Sequence, residues 1–392
     1  MMNFDLEERL EQRSEQRLFR QRVILDSPQK PEAMVDGRPC LMFCSNDYLG
    51  LANHPEIRSA FQQAANVYGI GSGASALING HSRPHRQLEE ELAEFTGRAR
   101  VLLFSTGYMA NLGVISALLS PGDALFQDRL NHASLLDAGR LSGARFQRYL
   151  HLDMGNLERR LKKSKARRKL IATDGVFSMD GDRTPLAELV KLSRQYQAGL
   201  MVDDAHAFGC IGKGGRGSLK EGGFTTDDVP VMMATLGKAF GTAGAFVAGS
   251  ETLIENLIQF ARSYIYTTAM PPAIAEASRA SLKVVERDEW RRQQLTSNVI
   301  YFRRSCESLG IPLMASDSAI QPIQVGSVEE SLRVSEQLLD LGVLVTPIRP
   351  PTVPAGSSRL RVTLSAIHTR EHIDRLVEAL QSIVWHKPGQ AA

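Results

Sequence analysis

The sequence predicts an α/β protein whose main sheet is mostly parallel and is covered by helices on both faces. Between about residues 100 and 250, short apolar runs alternate with segments whose apolar residues recur with a helical period. Strands that are apolar throughout and joined by helices are typical of parallel sheets buried on both sides. At 392 residues, the chain is also long enough for two domains.

The predicted elements follow one another in a regular order. The apolar run 100–104 is a strand, and the segment 108–119 that follows it is a helix. Further strands are predicted at 123–128, 169–174, 199–204, 230–236 and 244–250, with helices at 132–142 and 186–197.

The pattern changes after the Met-Pro-Pro at 270–272, where long helices extend to about residue 310. A smaller α/β unit follows, with strands at 319–325, 343–348 and 359–365 and helices at 331–342 and 370–384. We therefore expect three regions: residues 1–44 with a helix and a short strand, a large domain over 45–280, and a small C-terminal domain over 281–392.

Composition and charge exclude several classes of protein. The formal net charge of +3 is too small to favour binding to nucleic acid or to an anionic membrane. The four cysteines show neither zinc spacing nor a disulfide framework, which favours a reducing compartment and no metal. The charged N-terminus lacks the apolar core of a secretory signal, and no apolar stretch reaches membrane-spanning length. We therefore expect a cytoplasmic protein.

One basic run, residues 162–169, stands out in a chain whose positive and negative charges are otherwise nearly balanced. It predicts a solvated helix end and loop, and a docking patch for an acidic partner is the alternative interpretation.

The candidate site follows from where the predicted strands end. In open parallel sheets, ligands bind beyond the carboxyl ends of the strands. The residues at those positions are unusual: Ser105-Thr106-Gly107, the run Asp203-Asp204-Ala205-His206, and Gly237-Lys238.

Lys238, Asp203 and His206 together favour pyridoxal 5'-phosphate as a cofactor. A buried carboxylate at a strand end is costly unless a positive group faces it. Pyridoxal phosphate needs a lysine for a Schiff base and a carboxylate for its pyridinium nitrogen, roles that suit Lys238 and Asp203. His206 would then hydrogen-bond the phenolic oxygen of the ring.

Other residues complete this hypothesis. The turn at Gly107 and Tyr108 precedes a helix and would bind the cofactor phosphate through backbone N–H groups. His132, at a predicted helix start, is either a surface residue or stacks on the pyridine ring. Ser178 and Thr235 could donate to cofactor oxygens. The glycine-rich segments match neither the dinucleotide-binding nor the P-loop spacing, so a nucleotide site is disfavoured.

A series of motifs carries a resemblance to a known family. In chain order they are SNDYLGLANHP, YGIGSGASALINGHSRPHRQLEEELAEFTG, LNHASLLDAGRLS, DGVFSMDGDRTPLAELV, MVDDAHAFGCIGKGGRGS, TLGKAFGTAGAFVAGS, IYTTAMPP and RLRVTLSAIHT. The chain resembles the α-oxoamine synthases over residues 20 to 385, and most of all the biotin-pathway members of that family.

The resemblance implies a fold and an activity. The fold would be the aspartate aminotransferase-like fold type I of pyridoxal-phosphate-dependent transferases, with a mainly parallel seven-stranded sheet and a small C-terminal α/β domain. The activity would be that of an acyltransferase that condenses L-alanine with a pimeloyl thioester, carried on coenzyme A or on an acyl carrier protein, with loss of CO₂. A homodimer with shared active sites is also implied.

The resemblance further implies residue roles. Lys238, His132, Asp203 and His206 would be the catalytic residues. Cofactor contacts would come from Gly107, Tyr108, Ser178, Thr235 and, across the dimer, Thr267 and Thr268. Arg361 would hold the carboxylate of the amino acid, Asn46 would lie near it, His132 would hydrogen-bond the thioester or a carboxylate, and Arg20 and Thr352 would contact the acyl side.

Two alternatives remain at this point. One is a related condensing enzyme that uses glycine with acetyl-CoA, or a long-chain acyl thioester with another amino acid. The other is a cofactor-binding protein without catalysis. A test with alanine, glycine and serine would separate the enzymatic alternatives.

Overall fold

The computed structural model of the chain describes residues 4–385. Its strands are β1 Glu32–Val35, β2 Arg38–Met42, β3 Arg100–Phe104, β4 Ala124–Asp128, β5 Arg145–Tyr149, β6 Lys169–Asp174, β7 Gly199–Asp203, β8 Val231–Thr235, β9 Ala245–Gly249, β10 Ile320–Gly326, β11 Val343–Leu344, β12 Thr346–Ile348 and β13 Ser358–Thr363.

Helices connect these strands. They are α1 Leu6–Glu15, α2 Pro55–Tyr68, α3 Arg83–Thr96, α4 Gly107–Leu118, α5 Ala133–Leu141, α6 Met154–Lys163, α7 Leu186–Gln195, α8 Ser218–Glu221, α9 Glu251–Phe260, α10 Arg262–Ile265, α11 Pro272–Arg287, α12 Glu289–Ser308, α13 Val328–Asp340 and α14 Arg370–Ser382. Among residues 4–385, no helix combines the length and the apolar character needed to cross a bilayer.

The main sheet confirms the predicted fold class. Within the described residues its seven strands lie in the order β3-β9-β8-β7-β6-β4-β5. The pairs from β8 to β5 are parallel, whereas β9 pairs in antiparallel fashion with both β3 and β8. The strand β3 therefore runs parallel to β8, and the carboxyl ends of six strands meet at one edge of the sheet.

Apolar packing on one face of this sheet supports that arrangement. A buried cluster joins strand residues such as Leu102, Met201 and Val247 to helix residues such as Val114 and Leu135. The central strands are mostly apolar because helices cover them, which is why their boundaries could be predicted closely from the sequence.

The chain divides into two compact units, which are described separately here. One contains Asn46–Ser178 and Asp182–Gln293, and therefore the main sheet. The other, the small unit, contains the described residues up to Ser45, Met179–Gly181 and the described residues from Gln294 onward. The small unit holds two three-stranded sheets, ordered β1-β2-β11 and β10-β13-β12. The three regions expected from the sequence stay a proposal.

Some elements depart from the sequence pattern. The edge strand β5 was not predicted, because its sequence, RFQRY, places arginines at two of its five positions. The predicted strand 343–348 is divided into β11 and β12. The basic run begins in α6, continues through a loop and ends at the first residue of β6, so it lies at the opposite edge of the sheet from the carboxyl ends.

Candidate active site

Two buried carboxylates lie side by side at the carboxyl edge of the main sheet. Asp174 ends β6 and Asp203 ends β7, and the two residues are partners in the parallel register. Asp203 is only 4% exposed. Its carboxylate accepts hydrogen bonds from Asn111 Nδ2 at 2.8 Å and from the backbone N–H of Ala205 at 3.1 Å.

The next residue, Asp204, has a different role. Its carboxylate is fully buried and accepts hydrogen bonds from the hydroxyl and the backbone N–H of Ser218. Burial raises the pKa of Asp204 to about 6, although the hydrogen bonds from Ser218 oppose this effect. Asp204 therefore ties β7 to α8, whereas Asp203 contacts Asn111 of α4.

Lys238 follows the adjacent strand β8 and is half-buried. Its Nζ lies 2.7 Å from His206 Nε2, and His206 Nδ1 lies 2.7 Å from the hydroxyl of Tyr48. That hydroxyl donates to Asn46 Oδ1 at 3.1 Å. The Tyr48 oxygen must therefore accept from Nδ1–H, which leaves Nε2 as the acceptor for the amine of Lys238. This chain of hydrogen bonds brings the predicted residues Lys238, His206 and Asn46 together.

His132 is held at the same edge by its backbone. Its N–H donates to Asp174 Oδ2 at 2.7 Å, and its side chain caps α5 by accepting from the N–H of Ser134. Desolvation lowers the pKa of His132; nearby Asp203 opposes this shift and nearby Lys238 reinforces it. Burial raises the pKa of Asp174 well above its usual value, and the Asp203 carboxylate acts in the same direction.

The start of α4 forms the turn, residues 106–108, that was predicted to bind an anion, the predicted anion-binding turn. The side chain of Thr106 caps the helix by accepting from the N–H of Met109 at 3.1 Å. The N–H groups of Gly107 and Tyr108 lie in the first turn, where helix geometry provides no intrahelical acceptor. The hydroxyl of Tyr108 donates to Asp137 on α5, and the rings of Tyr108 and His132 are 6.5 Å apart.

Two other predicted cofactor contacts lie in loops at this edge. Thr235 ends β8, and its hydroxyl donates to Gly244 O at 2.9 Å while accepting from the N–H of Gly237 at 3.3 Å. The hydroxyl of Thr235 therefore shapes the loop that carries Lys238. Ser178 lies half-buried in the loop after β6. Contact of either residue with the cofactor stays a prediction.

Thr267 and Thr268 lie beside the predicted anion-binding turn of their own chain. The hydroxyl of Ser105 donates to Thr268 O at 3.2 Å, and Thr268 forms a β-bridge with Ser75. Their predicted contribution to a neighbouring subunit stays a prediction.

The remaining predicted substrate residues belong to the small unit. Arg361 is buried on β13, opposite Pro322 of β10. Thr352 donates its backbone N–H to Arg349 O at 3.1 Å, and the guanidinium of Arg349 donates to the carbonyls of Arg17 and Phe19.

These contacts bring Arg20 close to Arg349 within the small unit. Burial lowers the pKa of Arg349, and the charge of Arg20 acts in the same direction. The structure therefore groups Arg20 and Thr352 around a residue that was not singled out from the sequence. Arg349 lies in the segment IRPPTVPAG, where a conformationally restricted proline pair was the available signal.

The groups at the carboxyl edge meet the chemical demands of pyridoxal phosphate. Lys238 supplies an amine, Asp203 a buried carboxylate, and the first turn of α4 the N–H donors for a phosphate. The residues present therefore fit this cofactor.

Sequence reasoning missed three polar residues around this edge. Asn111 lies in the middle of an apolar helical pattern, Ser134 follows a predicted helix start, and Tyr48 lies in the motif SNDYLG. The structure shows that each of them contacts a predicted site residue.

Comparisons with known proteins agree with this geometry. The family model described as aminotransferase class I and II matches residues 38–380. An 8-amino-7-oxononanoate synthase from Cellvibrio japonicus is 58% identical over 375 residues, covering 96% of this chain and 94% of its own. One from Pseudomonas syringae pv. tomato is 57% identical over 380 residues, covering 97% and 96%.

Solved structures give the same result. A serine palmitoyltransferase from S. paucimobilis, with a bound PLP–myriocin aldimine, superposes with a TM-score of 0.91 at 29% identity, covering 97% of this chain and 96% of its own. An 8-amino-7-oxononanoate synthase from Francisella tularensis superposes with a TM-score of 0.77 at 33% identity, covering 87% and 97%. The chain therefore belongs to the 8-amino-7-oxononanoate synthases, within the family of class I and II aminotransferases.

Proposed function

We propose that this protein is a pyridoxal-phosphate-dependent acyltransferase of biotin biosynthesis. It condenses L-alanine with a pimeloyl thioester and releases 8-amino-7-oxononanoate, CO₂ and a free thiol. The observation that carries this proposal is the grouping of Lys238, His206 and Asp203 at adjacent strand ends, in a chain 57–58% identical to two synthases of that name.

The cofactor, when bound, supplies an electron sink for the carbanion that forms at Cα of the amino acid. Asp203 would keep a proton on the ring nitrogen of the bound cofactor, because its buried carboxylate would be stabilised by a positive group facing it. Lys238 would hold the cofactor covalently, and its Nζ, as a free amine, would remove the Cα proton of the amino acid. His206 fixes that amine through its Nε2.

The carbon–carbon bond then forms between Cα of alanine and the acyl carbon, with the thiol as leaving group. Loss of CO₂ from the carboxylate that came from alanine gives the amino ketone. We propose that His132 donates a hydrogen bond to the thioester oxygen or the carboxylate. We also propose that Arg361 holds the alanine carboxylate, since a guanidinium binds carboxylates in a bidentate manner.

The acyl substrate carries a second carboxylate at the far end of its chain. Two guanidinium groups, those of Arg20 and Arg349, lie close together near Thr352 in the small unit. Because two neighbouring cations repel each other, an anion between them would be favourable. We propose that these residues bind the terminal carboxylate of the pimeloyl group, carried on coenzyme A or on an acyl carrier protein.

We further propose that the protein acts as a homodimer with shared active sites. Large apolar residues around the loop after α2 are strongly exposed, which is typical of a protein interface. They include Val67, Ile70, Ile78 and Tyr266. Thr267 and Thr268, next to Tyr266, would then contribute to the phosphate site of the neighbouring subunit.

The test is alanine-dependent release of thiol from pimeloyl-CoA, with acetyl-CoA and longer acyl-CoAs compared alongside, and with glycine and serine in place of alanine. We expect alanine and pimeloyl-CoA to be preferred. Turnover with glycine and acetyl-CoA instead would contradict the proposed substrate pair.

A variant of the lysine tests the proposed chemistry. We expect Lys238→Ala to lose the borohydride-reducible absorbance of bound cofactor and to lower turnover by about 10²–10⁴-fold or more. Lys169→Ala is the matched control, because Lys169 is also half-buried but begins β6 at the opposite edge. A Lys238→Ala protein that retained the reducible chromophore would refute the assignment.

A further inference from the structure

A line of hydrogen bonds connects the two sides of the candidate cofactor cleft inside the protein. Asn111 Nδ2 donates to Asp203 Oδ2 at 2.8 Å and to Ser134 Oγ at 2.8 Å. Ser134 Oγ lies 2.7 Å from His132 Nδ1. Asn111, on α4, and Ser134, on α5, are 1% and 0% exposed. Neither residue is used in the mechanism above.

The direction of each hydrogen bond follows from the groups involved. The backbone N–H of Ser134 points at His132 Nδ1, at 3.3 Å, as part of the helix cap. Nδ1 must then be an acceptor, because a protonated Nδ1 would face an N–H donor. The hydroxyl of Ser134 therefore donates to Nδ1 and accepts from Asn111.

The amide of Asn111 is oriented by the carboxylate. With the opposite orientation, its oxygen would face the Asp203 carboxylate, and two acceptors would oppose each other. In the observed orientation both N–H groups have acceptors, while Oδ1 is buried with no hydrogen-bond partner among residues 4–385. An unsatisfied buried oxygen costs stability. The amide of Asn111 therefore makes its two donated hydrogen bonds at the expense of one for its oxygen.

We propose that Asn111 and Ser134 are positioning residues that form a directed hydrogen-bond relay from Asp203 to His132 and fix His132 as the neutral tautomer with its proton on Nε2. His132 then presents a hydrogen-bond donor rather than a base to the cleft. Desolvation, which lowers the pKa of His132, favours the same neutral form. The donor role of this tautomer in catalysis depends on the proposed function, whereas the tautomer itself does not.

The wild-type protein provides the first test. Protein labelled with ¹⁵N in its nine histidines gives long-range proton–nitrogen NMR spectra that identify each tautomer, and His132→Gln assigns the His132 signals by their loss. We expect the neutral Nε2–H form near pH 7, with and without cofactor. A neutral Nδ1–H form or a protonated ring at that pH would overturn the proposal.

Two variants test the relay. Ser134→Ala removes the hydroxyl that donates to Nδ1, so we expect His132 to titrate at higher pH and kcat to fall about tenfold, less than the loss from deleting a donor outright. Asn111→Leu should also alter the pH dependence of the bound-cofactor absorbance, because it removes a donor from Asp203.

Ser142→Ala is the matched control. Ser142 caps the same helix α5 and is buried, but its hydroxyl donates to Gly139 O. We expect this variant to leave the His132 spectrum and kcat unchanged. If Ser134→Ala left the His132 tautomer and titration at their wild-type values, the relay would be refuted. Absence of turnover with pimeloyl-CoA, together with the expected tautomer, would refute only the proposed function.

Discussion

At the scale of single residues, buried charges at the carboxyl edge are each matched to a specific partner. Asp203 and Asp204 are adjacent in the sequence, but the carboxylate of Asp203 contacts Asn111 and that of Asp204 contacts Ser218. Side chains alternate along an extended chain, so neighbouring carboxylates point in opposite directions. The pattern of two aspartates predicted a carboxylate at this edge, and the strand geometry decides which one can serve the cofactor.

His151, at the same edge of the sheet, is another charged side chain with specific partners, in this case two carboxylates. Its Nδ1 lies 2.9 Å from Asp128 Oδ1, and its Nε2 lies 2.8 Å from Asp182 Oδ2. Burial by itself lowers the pKa of His151, but the hydrogen bonds to the two carboxylates outweigh it and raise the pKa to about 9. The ring is therefore a cation at neutral pH that joins the ends of β4 and β5 to the loop after β6.

The pKa shift predicts a dependence of stability on pH. Because the folded state holds the proton more tightly than the unfolded state, the contribution of His151 is complete below about pH 6.5 and is lost as pH rises toward 9. We expect the free energy of unfolding of the wild type to exceed that of His151→Gln by an amount that shrinks by up to about 3 kcal/mol between pH 6 and 9.5. Urea unfolding at a series of pH values measures this difference.

His368→Gln is the control for this experiment. Burial lowers the pKa of His368 to about 4, so its ring stays neutral over the whole range. The loss of stability caused by His368→Gln should therefore be the same at every pH in this range. If the loss in the free energy of unfolding caused by His151→Gln were also the same at every pH, the proposed ion pairing would be contradicted.

At the scale of secondary structure, the loop after β8 is shaped by a close approach of two backbones. Gly241 donates its N–H to Lys238 O at 2.8 Å and has a φ of +65°. A Cβ at Gly241 would lie 2.4 Å from Ala52 N. The turn of Leu51 and Ala52 is itself held by Asp47, whose carboxylate accepts from both N–H groups. The loop that carries Lys238 is therefore supported by a neighbouring turn with hydrogen bonds of its own.

Two glycines of this loop should respond differently to the same substitution. We expect Gly241→Ala to lower the free energy of unfolding by about 1–3 kcal/mol, because it combines a steric clash with an unfavourable φ. Gly237→Ala should cost less than about 1 kcal/mol, since nothing lies within 3.7 Å of the added atom. Urea unfolding of cofactor-free protein provides the comparison. Equal losses in the two variants would show that the close approach to Ala52 does not restrict the loop.

The same elements show what the sequence could and could not predict. Central strands such as β6 and β7 are buried on both faces, so their apolar runs mark them clearly. The edge strand β5 has charged positions, which protect an exposed edge but remove the apolar signal. Lys238 and Asp203 were predictable because strand ends locate ligand sites. Asn111 and Ser134 were not, because only the packing of α4 against α5 shows what their side chains contact.

At the scale of the whole molecule, the active-site edge and the exposed apolar surface are physically connected. The loop after α2 is tied to the segment before α11 by the bridge of Ser75 with Thr268 and by the hydrogen bond from Ala269 N to Ala74 O. Thr268 in turn contacts Ser105, next to the predicted anion-binding turn. A second copy seated on this apolar surface would therefore lie beside the proposed phosphate site, which is the arrangement expected of shared active sites.

Disrupting the apolar surface should therefore remove both assembly and turnover. Ile70 is 85% exposed, and placing a charge there would make burial against a second copy unfavourable. We expect Ile70→Glu to sediment as a monomer and to lose most of its alanine-dependent thiol release while keeping its folded circular dichroism spectrum. Val384→Glu, at a 68% exposed apolar residue of the small unit, is the matched control and should behave as wild type. A monomeric Ile70→Glu protein with full turnover would show that each chain completes its own active site.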